Sequence, residues 1–91
     1  VFAGLAWKSG SNVTATLDFA SIASLAEGTQ TVTVTGARVG DAVQVTAPNV
    51  TGVIFSGAVT ADDTVTVYAK NFSAGAVNPP SQAFRIIVLQ N

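Results

Sequence analysis

Five carboxylates, Asp18, Glu27, Asp41, Asp62 and Asp63, have the widest range of chemistry open to them in this 91-residue chain. Histidine and cysteine are absent, which excludes Ser-His-Asp and Cys-His nucleophilic arrangements and the common zinc sites. Two carboxylates hydrolyse a glycosidic bond only when held about 5–10 Å apart across a cleft, and nothing in the spacing here places a pair that way. All but Asp18 fall in stretches that read as turns. Adjacent Asp62 and Asp63 offer oxygens to calcium, but that ion takes about 6–8 oxygen ligands and the chain has no Asp-x-Asp-x-Asp loop. Aspartates at a tight turn hydrogen-bond nearby backbone amides, which is the reading adopted for this pair. The expectation is a protein with no catalytic residue, no metal and no cofactor.

Other polar and aromatic candidates carry weaker signals. Asn-x-Ser/Thr triplets begin at Asn12, Asn49 and Asn71, yet they matter only on a eukaryotic secretory route. Trp7, Tyr68 and Phe72 could form a sugar-stacking platform, but a lone tryptophan in an apolar leader reads better as a core or interface anchor. Arg38 and Arg85 are more specific. Arginine pairs bidentately with carboxylates and tolerates burial at interfaces better than lysine. With so few charges, an arginine–carboxylate pair would fix register between strands or subunits. The four basic residues, at 8, 38, 70 and 85, form no stripe, so nucleic acid is not an expected partner.

The composition explains why the charges are so few. Only 10% of the residues are charged, 48% are hydrophobic and the net charge is −1, whereas an ordinary soluble domain carries about 25% charged residues. Mean hydropathy is +0.48. A membrane span needs ~18 consecutive apolar residues, and the longest candidates are "VFAGLAW" and "IIVL". No membrane is expected, and the opening residues lack the pattern of a signal peptide. One domain of this length buries roughly 60–70% of its unfolded surface, with no disulfide to help. The missing cysteines favour reducing assembly conditions or stability gained by association. Protein partners are the class that remains.

The elements that must present those partners' contacts alternate with period two. Val13, Ala15, Leu17 and Phe19 share one face in "NVTATLDF", and Val32 and Val34 share one in "TQTVTVT". Val43 and Val45, then Val53, Phe55 and Val59, then Val65, Val67 and Ala69 repeat the pattern, with Gly57 marking a bulge or a close approach. "VTVTGARVGDAVQV" reads as two strands and a loop, and the other turns fall at "AEGTQ", "APNVTG", "TADD" and "NFSAGAVNPPSQ". "SIASLAEG" has spacing for one helical turn, and an X–Pro bond in Asn78-Pro79-Pro80 is a candidate cis bond. In "FRIIVLQ", Phe84, Ile86 and Val88 face one way and Arg85, Ile87 and Leu89 the other. Apolar residues on both faces mark a central strand or one whose outer face meets a neighbour.

The stretches "ATLDFASIA", "VTVTGARVGDAVQVTAP" and "GVIFSGAVTADDTVTVYAKNFSAGAVNPPSQAFRIIVL" resemble a small β-domain of tailed-bacteriophage virion structural proteins, from about Ala15 to Leu89. That resemblance implies a virion role, with trimeric assembly common, as a head-surface protein or the closing module of a fibre. It transfers no functional residue.

The fold expected is all-β, an antiparallel β-sandwich, jelly-roll or Greek-key-like, of six to eight strands. Residues 1–11 are read as an apolar arm and 12–91 as the domain. The function expected is a capsid decoration, or cement, protein on the virion surface. It would form a homotrimer and bridge major capsid subunits, and the alternative is a trimeric fibre or glycan-binding module. Val1, Phe2, Leu5 and Trp7 would lie on a neighbour as an arm or added strand. Ile87 and Leu89 would line the subunit seam, and Arg38 or Arg85 would fix its register.

Overall fold

A computed structural model describes residues 8–90; the expectations for Val1, Phe2, Leu5 and Trp7 therefore lie outside the described residues. Six strands form: β1 (Lys8–Leu17), β2 (Glu27–Thr33), β3 (Ala42–Thr46), β4 (Val53–Ala61), β5 (Thr64–Asn71) and β6 (Gln82–Gln90). They make two three-stranded sheets, ordered β1-β6-β3 and β2-β5-β4, and every pairing is antiparallel. The protein is an all-β antiparallel sandwich, with six strands among the described residues, at the low end of the expected count and short of the eight of a jelly roll.

Side chains alternate across each strand, so one face of each sheet turns inward. From the first sheet, Val13, Ala15 and Leu17, then Phe84, Ile86 and Val88, then Val43 and Val45 enter the core. They meet Val32, then Val65, Val67 and Ala69, then Val53, Phe55 and Val59 from the second. The two middle strands, β5 and β6, supply the fully buried residues Val65, Val67, Ala69, Phe84, Ile86 and Val88. Phe19, Phe55 and Phe84 form a tilted aromatic cluster with ring centroids 5.9, 5.9 and 5.0 Å apart, in the range that edge-to-face packing favours.

Gly57 is a point of close approach. A Cβ there would stand 2.7 Å from Val45 Cγ2 and 3.1 Å from Val43 Cγ1, so the missing side chain lets β3 settle against β4 at this rim of the sandwich. The bulge in β4 lies further on, between Val59 and Ala61.

Several local expectations are corrected. The strands of "VTVTGARVGDAVQV" do not pair with each other, because β2 and β3 belong to different sheets and the loop between them crosses the sandwich. "SIASLAEG" forms no helical turn. Ile22 instead makes an isolated antiparallel bridge to Val77, which satisfies its backbone N–H and C=O at 2.7 and 2.9 Å. A segment this short cannot nucleate a helix against that competition. Glu27, read as part of a turn, opens β2 opposite Lys70. Strand β1 begins at Lys8, inside the stretch read as an arm, and pairs there with Gln90. No cis peptide bond occurs among the described residues.

Candidate interaction surfaces

Strand β6 is the middle strand of its sheet, and its outward row runs Ala83, Arg85, Ile87, Leu89. Thr14 of β1 and Thr46 of β3 flank Arg85, and Asn12 and Gln44 flank Ile87. Ala42 lies beside Leu89. Asparagine and glutamine thus border Ile87, and threonines border Arg85, the charged residue next to it in the row. Ile87 and Leu89 are half-buried and Arg85 is exposed. The structure therefore brings three of the expected interface residues into one row. Among the described residues Arg85 makes no ion pair, so within one copy it fixes no register.

Arg38 lies in the loop between β2 and β3, at the Leu89 end of that row. Its guanidinium donates to Asp63 Oδ1 at 3.3 Å, but both side chains are about half exposed, and such a pair contributes ~1 kcal/mol or less. The carboxylates hold the loop through its backbone instead. Asp63 Oδ1 accepts the Gly36 N–H at 2.7 Å, and Asp41 Oδ2 accepts the Arg38 N–H at 3.0 Å. Gln90 at the end of β6 donates to Gly36 O at 2.8 Å and to Asp41 Oδ2 at 2.9 Å. Gly36 and Gly40 adopt φ of +94° and +100°, where a side chain would be strained. Asp63 sits at φ +62° in the β4–β5 turn, a conformation aspartate tolerates better than most residues.

The remaining carboxylates and aromatics do not converge. Among the described residues, no three His, Cys, Asp or Glu side chains gather as a metal-holding group. Phe72 is exposed and Tyr68 is half-buried; Trp7 lies outside the described residues. The aromatic contacts among the described residues join only Phe19, Phe55 and Phe84.

Asn71 has a role that its triplet concealed. It is fully buried, and its Nδ2 donates to Ile22 O at 2.9 Å, Ala23 O at 3.2 Å and Gly75 O at 2.9 Å. Its Oδ1 accepts from Ser73 N–H at 2.8 Å and Ser73 Oγ at 2.6 Å. One side chain thus ties the β1–β2 loop to the β5–β6 loop and is closed to glycosylation. The signal was present in the period-two count, since Val65, Val67 and Ala69 put residue 71 on the inward face. Asn12 and Asn49 are exposed.

A surface that strand periodicity alone does not reveal lies beyond the end of β3. Its pairing with β6 stops at Thr46 opposite Arg85, and a groove of about 360 Å³ opens there, lined by Thr14, Thr46, Ala47, Pro48, Ala83, Phe84 and Arg85. A second groove of about 320 Å³ lies on the other side of Ala47 and Pro48, against Val50, Ile54 and Phe55. Ile54 is well exposed. No family model, curated protein or solved structure matches the chain.

Proposed function

We propose that this protein is a virion structural component, a capsid decoration protein that assembles as a homotrimer and bridges major capsid subunits on the phage head. The observation that carries this reading is the outward row of β6, where Ile87 lies half-buried between Asn12 and Gln44 and Leu89 lies half-buried beside Ala42, with Arg85 the next residue of the row. Apolar side chains so placed contribute ~25 cal/mol for each Å² that a partner covers. Asn12 and Gln44 beside Ile87 can be covered without burying a full charge, which is the costly step in closing a polar interface, while Arg85 calls for a carboxylate on the partner or a place at the rim. The low charge of the whole chain and its likeness to small phage virion β-domains support the same conclusion.

The mechanism is thermodynamic. A subunit that touches two capsid neighbours binds the assembled shell and not free capsid protein, so binding stabilises the assembled state by mass action. Trimeric attachment multiplies each weak contact through effective concentration. The test is co-sedimentation with expanded shells assembled from the cognate major capsid protein. The protein is expected to pellet with shells and to stay in solution with unassembled capsid protein. Equal partition in the two cases, or no pelleting at all, overturns the proposal.

A further inference from the structure

Residues Gln82, Ala83 and Phe84 have a strand on only one side. Toward β1 they pair with Leu17, Thr16 and Ala15, but β3 reaches only as far as Arg85. The chain turns away at Ala47 and Pro48, and proline has no N–H with which to extend a ladder. The first groove is lined by Ala83 and Phe84 of this unpaired segment. The one buried side-chain nitrogen without a hydrogen-bond partner among the described residues, Gln82 Nε2, belongs to the same segment. Ala83 is exposed there, which leaves space on the outer face. An open strand edge beside an apolar groove receives an extended segment by strand addition.

The chain contains one apolar segment suited to this place, Val1–Trp7, in which valine, phenylalanine, leucine and tryptophan are interspersed with alanine and glycine. Reach decides which copy supplies it. Lys8 pairs with Gln90, at the opposite end of β6 from Gln82. The distance back along the strand to Phe84 is about 20 Å, and crossing from the β1 side to the β3 side adds two strand spacings of about 4.8 Å each. Seven residues span at most ~25 Å fully extended, and a reversal at Lys8 consumes at least about two of them. The copy's own segment therefore cannot lie along its own groove. We infer that Val1–Trp7 of one copy adds as a strand beside Gln82–Phe84 of a second copy. Donor segment and acceptor groove are different surfaces, so the contact is head-to-tail and builds a ring where the rotation between copies closes. This holds whether the oligomer sits on a head or on a fibre.

The chain has no cysteine, so introduced thiols report the contact without background. Full-length chains carrying Ala3→Cys or Ala6→Cys are mixed with chains carrying Ala83→Cys and oxidised mildly. Ala58→Cys, exposed on the other sheet, is the control acceptor. Docking predicts a mixed disulfide with Ala83→Cys, from one or the other donor position, about tenfold or more above the Ala58→Cys control, because docked thiols react at millimolar effective concentration. Light scattering on the unmodified chain is expected to give a mass above one copy, and Trp7 emission, the chain's only tryptophan signal, to be blue-shifted. Cross-linking no greater than the control for both donor positions, or a single-copy mass with solvent-exposed Trp7 emission, overturns the inference.

Discussion

Asn71, Gly57 and Asp63 each show how one side chain, or its absence, fixes a piece of the sandwich. Removing the Asn71 amide takes one hydrogen bond from each of five groups of the two loops and leaves the Ser73 N–H without a partner. Asn71→Ala is therefore expected to lower unfolding free energy by about 1–3 kcal/mol, read by urea denaturation. Asn71→Asp is expected to cost at least as much, because it aims a carboxylate oxygen at three carbonyls. Gly57→Val forces a branched side chain into the contact with Val43 and Val45 and is expected to destabilise by ~1–3 kcal/mol or more. At the Arg38 loop, Arg38→Ala removes an exposed ion pair and the hydrogen bond that the guanidinium donates to Ala37 O at 2.9 Å, and is expected to cost about 1 kcal/mol or less. Asp63→Ala also strips the acceptor for Gly36 N–H and leaves alanine at positive φ, so a loss of about 1–2 kcal/mol is expected, while Asp63→Asn retains most of the stability. Equal losses for Arg38→Ala and Asp63→Ala would show that the ion pair, and not the backbone cap, holds the loop.

At the level of elements, the strands were legible because valine–threonine alternation is a direct record of which face is dry. Every inward residue named from the alternation in "TQTVTVT", "AVQVT" and "DTVTVYAK" is buried or half-buried in the structure. The two-faced pattern of "FRIIVLQ" marked a central strand or one whose outer face meets a neighbour, and β6 is the middle strand of its sheet. What the alternation does not encode is which strands pair. Valine and threonine suit any pleated partner, so nothing local told β2 and β3 that they belong to different sheets. The Ile22–Val77 bridge escaped notice for a related reason: it joins residues 55 positions apart (77 minus 22), and no local signal specifies so distant a partner. The same logic explains the candidate surface. Ile87 and Leu89 could be picked out from sequence, but the groove at Ala83 exists only because β3 stops short, a matter of strand lengths in space. Neighbouring residues of β6 give the sharpest test at this scale. Ile86→Ala empties a core position and is expected to cost ~2–5 kcal/mol. Ile87→Ala, on the outer face, is expected to cost about 1 kcal/mol or less in an isolated copy yet to weaken attachment to shells. Reversal of those effects would place the functional face elsewhere.

For the molecule as a whole, the balance of surface and charge is the central fact. A chain of 9.2 kDa with four basic and five acidic residues has little electrostatic repulsion to keep copies apart. Each three-stranded sheet has two edge strands, and free edges invite pairing with other chains. An association-dependent fold gains stability with concentration, so the melting temperature is expected to rise as protein concentration rises. A concentration-independent value would mean that a single copy is the stable unit.

Cementing, in the proposed role, is the stabilisation of an assembled shell by a subunit that spans its joints. Calorimetry of expanded shells, with and without saturating protein, measures that directly. The shell-disruption transition is expected to move to higher temperature when the protein is bound, and Ile87→Ala with Leu89→Ala is expected to reduce the shift. An unchanged transition at saturation would contradict the proposed role.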